Sequence, residues 1–217
     1  MKAVLIPVKD PSRGKTRLSR LLSAEERRRL AWAMFEDVCR AVKSARLPDR
    51  VFVVTSFEPA IEHARRIGWE VIIEQAQVSE SASVDLASRE LAGRGFDLVM
   101  RLPADVPLVR AEDIDELMSV EMRAPAALLV PSREGTGTNA IIRTPADLFP
   151  SRFGPNSLAL HKQEASRVGV ECLIKESARI ALDIDEPEDI AALMRDGRGT
   201  AAFDLLVEMN INLRFEI

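Results

Sequence analysis

Four short apolar runs constrain this chain most. Ala3–Val8, Val51–Thr55, Glu70–Ile73 and Leu98–Leu102 each read as a strand, and each is followed by a stretch with helical periodicity. Those stretches are Ser23–Lys43, Pro59–Gly68, Ser83–Ala92 and Ala111–Met122. Ser23 and Glu26 have capping-box spacing, and Gly68 closes its helix as a C-terminal cap. Strand and helix in alternation build a mostly parallel sheet, because a parallel pair needs a long crossover and a helix supplies it. The strands are near-continuously apolar, so helices cover both sheet faces. The expected fold is α/β, in three layers α/β/α.

The pattern loosens after Pro125. Ala127–Val130, Ala140–Arg143, Val170–Ile174 and Ile180–Leu182 read as strands, and Asn156–Val168 and Pro187–Met194 as helices. No repeat or low-complexity linker interrupts the chain, so residues 1–217 read as one domain, more irregular from about residue 125. A composition of 47% hydrophobic and 29% charged residues excludes a disordered or coiled-coil chain. The formal charge of 30 − 34 = −4 and the absence of Tyr argue against a nucleic-acid surface. Cys39 and Cys172 are too few for a disulfide framework or a zinc site, and read as free thiols. The apolar run near the start is too short for a secretion signal or a membrane span, so the expected location is the cytoplasm, with no membrane partner.

In open parallel sheets, ligands bind beyond the carboxyl ends of the strands. The loop after the first strand holds Lys9, Arg13, Lys15 and Arg17 within nine residues. Gly14-Lys15-Thr16 resembles the end of a Walker A motif, but the glycine required five residues earlier is Lys9. The loop therefore cannot wrap phosphates as a P-loop does. Four cations at a strand end can still neutralise a triphosphate, and the bland alternative is a solvated basic loop.

Two acidic segments stand at other strand ends. Asp105 follows a buried strand between Pro103 and Pro107, well placed to hold Mg²⁺, which takes one or two carboxylates with water and phosphate oxygens. It lies too far before Ala111 to cap the next helix. In Asp183-Ile184-Asp185-Glu186-Pro187-Glu188, Asp185 and Glu188 have capping-box spacing and Pro187 suits an early helical position. Taken alone, Asp185 reads as a helix cap, although capping leaves one carboxylate oxygen for a ligand.

Gly135-Thr136-Gly137-Thr138-Asn139 and Phe153-Gly154-Pro155-Asn156-Ser157 are rich in hydroxyl and backbone N–H donors. A helix opening at Asn156 or Ser157 would turn free N–H groups toward an anion. Both segments also have the composition of ordinary turns. His161, one turn further on, reads as structural.

Together these pieces resemble the CofC-type guanylyltransferases, which activate a small phosphorylated acid with GTP in the biosynthesis of the deazaflavin coenzyme F-420. The matching stretches are Ile6–Lys9 with Lys15–Leu18, Pro103–Leu108, Gly135–Ala140, Phe153–Ser157 with His161, and Leu182–Asp189, in order over nearly the whole chain. The resemblance implies a nucleotide-diphospho-sugar transferase (GT-A-like) fold. It implies that Lys9, Lys15 and Arg17 hold the GTP phosphates, that Asp105 with one or both of Asp183 and Asp185 binds Mg²⁺, and that Thr138, Gly154 and Ser157 hold the carboxylate or phosphate of the acceptor. The acceptor would be 2-phospho-L-lactate, phosphoenolpyruvate or 3-phosphoglycerate.

Two departures stand out. Some members have a second Asp where this chain has Pro103, and many have Gly-Leu-Asn where it has Ser83-Val84-Asp85 near the expected nucleotide site. Asp85 would accept from guanine, bond a ribose hydroxyl, or cap its helix. The alternatives are a molybdopterin or sugar-phosphate nucleotidyltransferase of the same fold, and a nucleotide-binding protein without turnover. The glycine-rich first loop usual in the former is absent. A homodimer is the default expectation for assembly.

Overall fold

The computed structural model describes residues 1–170 and 172–214, without the side chains of Arg13 and Asn212. Among the described residues seven strands form one sheet in the order β3-β2-β1-β4-β6-β5-β7. They are β1 (Lys2–Pro7), β2 (Arg50–Thr55), β3 (Glu70–Ile73), β4 (Leu98–Arg101), β5 (Ala126–Pro131), β6 (Thr138–Thr144) and β7 (Cys172–Ile174). The helices are α1 (Ala24–Ser44), α2 (Glu58–Arg66), α3 (Glu80–Gly93), α4 (Ala111–Ser119), α5 (Ser157–Arg167), α6 (Pro187–Asp196) and α7 (Ala201–Glu208).

The sheet is mostly parallel, as the alternation requires, and β6 alone runs antiparallel to its neighbours β4 and β5. Side chains on β1 alternate between the two faces, as the two-residue period of a strand dictates. Val4 and Ile6 meet Phe35 and Val38 of α1, while Ala3 and Leu5 meet Val84, Ala87 and Leu91 of α3. Helices α1, α2 and α4 thus cover one face, and α3 and α5 the other. The capping box of Ser23 and Glu26 forms at the start of α1. Cys39 is buried in α1 and Cys172 is half-buried at the sheet edge, both as free thiols.

Several boundaries differ from the sequence reading. Helix α3 opens at Glu80, before Ser83, because the Ser79 hydroxyl takes the Ala82 N–H. Ile180–Leu182 forms a turn rather than a strand: the Asn139 side chain holds the Ile180 carbonyl and the Ala181 N–H bonds back to Ser177. Strand β7 begins at Cys172, with Glu171 outside the described residues. Helix α7 was not expected from the pattern. It packs through Ala202 and Leu206 on a separate apolar cluster of α1 and α6, and the buried Asp37 carboxylate takes the Ala201 and Ala202 N–H groups. Among the described residues no helix is long and apolar enough to cross a membrane.

Asp37→Ala leaves two N–H groups unpaired at the start of α7. We expect a stability loss of about 2 kcal/mol with an unchanged denaturant slope. Urea unfolding of the variant measures it, and an unchanged midpoint would mean that Asp37 does not anchor the helix.

Candidate active site

The chain steps outward from β1 to β2 and β3, then returns to place β4 on the other side of β1. That reversal is where the loops after two adjacent parallel strands diverge and leave a crevice. The loops after β1 and β4 carry Lys15 and Asp105.

The loop after β1 folds as two 3-10 turns, Pro11–Arg13 and Thr16–Arg20, with Lys15 between them at φ 54°. A left-handed backbone costs a non-glycine residue about 1 kcal/mol and must be held from outside. Lys15 is held by its own ammonium, 2.5 Å from Asp105 and 2.7 Å from Asp185. Burial lowers the affinity of that amine for its proton, but the two carboxylates outweigh it and raise the pKa. Burial likewise pushes the Asp105 carboxyl up, and the Lys15 and Arg101 charges bring it below the usual range.

Asp105, Asp183 and Asp185 each place a carboxylate oxygen within 4.8 Å of the others. The two segments are tied by the Ile184 N–H donating to the Asp105 carbonyl at 3.2 Å. Asp183 is oriented by the Asn139 amide at 3.0 Å. Burial and the Asp105 charge raise its pKa to about 6, against the Asn139 hydrogen bond. Asp185 is not the helix cap expected from its spacing. Asp189 accepts the N–H groups of both Asp185 and Glu186 at the start of α6, which leaves the Asp185 carboxylate facing the crevice. Three hard oxygen donors at this separation fit a small divalent cation.

Two cavities meet at this cluster. The larger, about 680 Å³, is lined by Arg17, Gly137, Thr138, Gly154 and Ser157. The smaller, about 320 Å³, is lined by Lys9, Lys15, Trp32 and Phe57. Glu80, Arg101, Pro103, Asp105 and Asp185 line both. The three expected phosphate-binding cations are therefore divided, with Arg17 on the far side, exposed and paired to Glu186 at 3.1 Å. Lys9 lies 3.8 Å from Glu80, and burial with the nearby Arg101 charge lowers its pKa.

The donor-rich segments come together across the larger cavity. Gly137 has no room for a side chain, since a Cβ there would lie 2.7 Å from the Ser132 hydroxyl. The tight turn it permits brings Thr138 to Ser157, whose hydroxyl accepts the Thr138 N–H at 2.8 Å. Gly154, at φ 122°, occupies a backbone region that other residues avoid. The opening of α5 is less free than expected. The Ser157 N–H bonds to the Gly154 carbonyl and the Leu158 N–H to the Thr136 carbonyl, so hydroxyls rather than these amides face the cavity.

Ser83 and Asp85 are not brought to either cavity. Ser83 is buried and donates to the Glu74 carboxylate at 2.5 Å. Asp85 accepts the Ser151 N–H at 2.9 Å and lies 3.8 Å from the buried Arg143. With Ser81, which accepts the Phe153 N–H, Asp85 clamps the loop that leads to Gly154.

Arg101, Glu80, Trp32 and Phe57 were missed by sequence reasoning. Arg101 had a signal: it is the one charge in the apolar run Leu98–Leu102. Its buried guanidinium donates to the Asn139 carbonyl and pairs with Glu80, stacked 4.2 Å over the Phe153 ring. Burial lowers its pKa to about 10 against the pull of Asp105 and Asp183.

Residues 1–217 match the family model described as "Guanylyl transferase CofC like". The chain is 33% identical over 193 residues to the phosphoenolpyruvate guanylyltransferase of Rubrobacter xylanophilus, covering 89% of this chain and 93% of that one. It is 31% identical to the 2-phospho-L-lactate guanylyltransferase of Methanothermobacter thermautotrophicus, covering 97% and 92%. It is 30% identical to the 3-phospho-D-glycerate guanylyltransferase of Colwellia psychrerythraea, covering 88% and 90%. In fold it is similar to a Desulfovibrio desulfuricans chain solved as a nucleotide-diphospho-sugar transferase, with a TM-score of 0.79 at 17% identity over 98% of this chain and 97% of that one.

The position of Asp85 has a direct check. Asp85→Ala leaves the buried Arg143 without its carboxylate, and we expect a loss of about 3 kcal/mol in urea unfolding, with Asp85→Asn less affected. A stability equal to that of the unaltered chain would contradict this placement.

Proposed function

The chain belongs to the CofC-like guanylyl transferase family, and we propose that it moves GMP from GTP onto a small phosphorylated carboxylic acid, with release of pyrophosphate, in the biosynthesis of coenzyme F-420. The observation that carries this reading is the shared wall: Asp105, Asp185 and Arg101 line both cavities. Joining two polyanions requires donor and acceptor on opposite sides of one charged cluster.

In this reading the smaller cavity takes GTP. Lys9 and Lys15 face its phosphates, and the Trp32 and Phe57 rings offer the base an apolar wall. The larger cavity takes the acid, with Thr138, Gly154 and Ser157 on its phosphate or carboxylate oxygens. The three acids named for the relatives share one phosphate and one carboxylate, and that pair is the chemistry recognised.

A phosphate monoester is already an anion near neutral pH, so the reaction needs no general base. The acceptor's phosphate oxygen attacks the α-phosphorus of GTP, a new P–O–P link forms, the bond to the bridging α–β oxygen breaks, and pyrophosphate leaves with that electron pair. Asp105, Asp183 and Asp185 would hold Mg²⁺, which supplies charge that offsets the repulsion between the two substrates. The Asn139 amide orients the Asp183 carboxylate and the Lys15 ammonium that of Asp185, while Asp189 holds the Asp185 backbone, so these carboxylates are oriented before any ligand arrives.

Two measurements test this. Pyrophosphate release is expected with GTP, Mg²⁺ and one of the three acids, not with ATP or CTP. Asp105→Ala is expected to lower it by about a thousandfold or more while circular dichroism is unchanged. Near-normal turnover in that variant, or no release with any acid, would overturn the reading. Second, the Lys15 ammonium and a divalent cation compete for the same carboxylates. Lys15→Met is expected to lose about 2 kcal/mol in EDTA, a fall in Tm of about 5 °C, and to regain most of it in Mg²⁺. A Tm indifferent to Mg²⁺ in both proteins would count against a metal here.

A further inference from the structure

One hydrogen-bond chain at the larger cavity has a determined direction. The Arg152 backbone N–H donates to Nε2 of His161 at 2.8 Å. Two N–H groups cannot point at each other, so Nε2 carries no proton. The other ring nitrogen, Nδ1, lies 3.0 Å from Thr138 Oγ1. A neutral imidazole has one ring proton, and it must then sit on Nδ1. The ring is the donor to Thr138, and the Thr138 hydroxyl proton must turn elsewhere.

The same logic holds one bond further on. The Thr138 N–H donates to Ser157 Oγ, so the Ser157 hydroxyl accepts there and keeps its proton to give. Among the described residues neither hydroxyl donates to another protein atom, and both line the larger cavity. Both residues are nearly fully buried, Thr138 at 5% and Ser157 at 2% exposure. Two buried hydroxyls that each accept one N–H and keep a free proton form a wall suited to an anionic oxygen.

We infer that His161 is a positioning residue for the acceptor: held as the Nδ1–H tautomer between Arg152 and Thr138, it makes the Thr138 hydroxyl donate into the larger cavity. This rests on the reading that the larger cavity takes the acid. His161 touches no reacting atom and acts through Thr138.

The surroundings keep the ring in that form. His161 is fully buried, with Phe153 edge-on at 4.9 Å between ring centres. Three arginines face it: Arg143 from β6, Arg101 from β4 and Arg152 from the loop, the last paired with Glu164. Burial first, then Arg143 and Arg101, lower its pKa to about 3, against the Ser157 carbonyl, which favours the proton. The ring is therefore neutral throughout the working range, and its cost appears as folding stability lost as pH falls from about 6.5 towards 3.

The chain has two histidines, so ¹⁵N imidazole spectra separate them readily. For the unaltered protein we expect one ring to hold the Nδ1–H tautomer without titrating between pH 8 and 5, and His161→Asn to remove that signal. An Nε2–H tautomer, or a midpoint near 6.5 for this ring, would overturn the inference. In steady-state assays, His161→Phe should raise the KM for the acid about tenfold with the KM for GTP unchanged. His161→Asn keeps a donor near the δ position and should recover most of that loss. Thr138→Val should cost at least as much as His161→Phe, and the double variant should be no worse than Thr138→Val, because both act on the one hydrogen bond from the Thr138 hydroxyl. Additive losses, or equal rises in both KM values, would show a merely structural role. If no acid supports turnover in the unaltered protein, the proposed function fails, while the tautomer still tests this inference by itself.

Discussion

Carboxylates within 4.8 Å of one another repel, and a fold that brings Asp105, Asp183 and Asp185 together must place positive charge among them. Lys15 meets that need in the structure, with its ammonium bonded to Asp105 and Asp185. The left-handed backbone at Lys15 and the two 3-10 turns around it follow from that demand. The bond from Ile184 to the Asp105 carbonyl ties the two acidic segments together. Burial first, and then the Asp105 charge, keep the pKa of Asp183 raised.

Two buried arginines extend the same logic through the second half of the chain. Arg101 and Arg143 sit on adjacent strands, β4 and β6, and each requires an acid and a carbonyl. Glu80 and the Asn139 carbonyl serve Arg101; Asp85 and the Phe149 carbonyl serve Arg143. Both acids come from α3, so this helix is bound to the sheet by charge as well as by Val84, Ala87 and Leu91. Through Ser81 and Asp85 it also fixes the loop before Gly154. The wall of the larger cavity is thus rigid because buried charge must be matched.

Much of the candidate site was legible in the chain. Residues at strand ends stood out because a charge following an apolar run marks the boundary of the core, as at Lys9 and Asp105. The segments that hold Thr138, Gly154 and Ser157 stood out as donor-rich, and the three residues themselves were named by the family resemblance. What failed were arguments from spacing alone. Asp185 and Glu188 had capping-box spacing, yet Asp189 took the amides. Ser83 and Asp85 were placed near the nucleotide by the family resemblance alone, and in the structure Ser83 bonds to Glu74 and Asp85 to the Ser151 N–H. Local spacing allows several side chains to reach the same N–H, and packing chooses between them.

The sequence by itself determined the alternation of strands and helices from β1 to α4, the parallel core of the sheet and the loops that hold the charged residues, because apolar periodicity and strand-end charges are local properties. It also marked the family through motifs spread over nearly the whole chain. Only the tertiary structure decided which of those residues share a wall. It divided Lys9 and Lys15 from Arg17, set Lys15 among the carboxylates, and gave Arg101 a face in both cavities. It also set the direction of the hydrogen bonds from Arg152 through His161 to Thr138. These depend on groups far apart in the chain meeting in a place where water cannot satisfy them, and no local pattern records that.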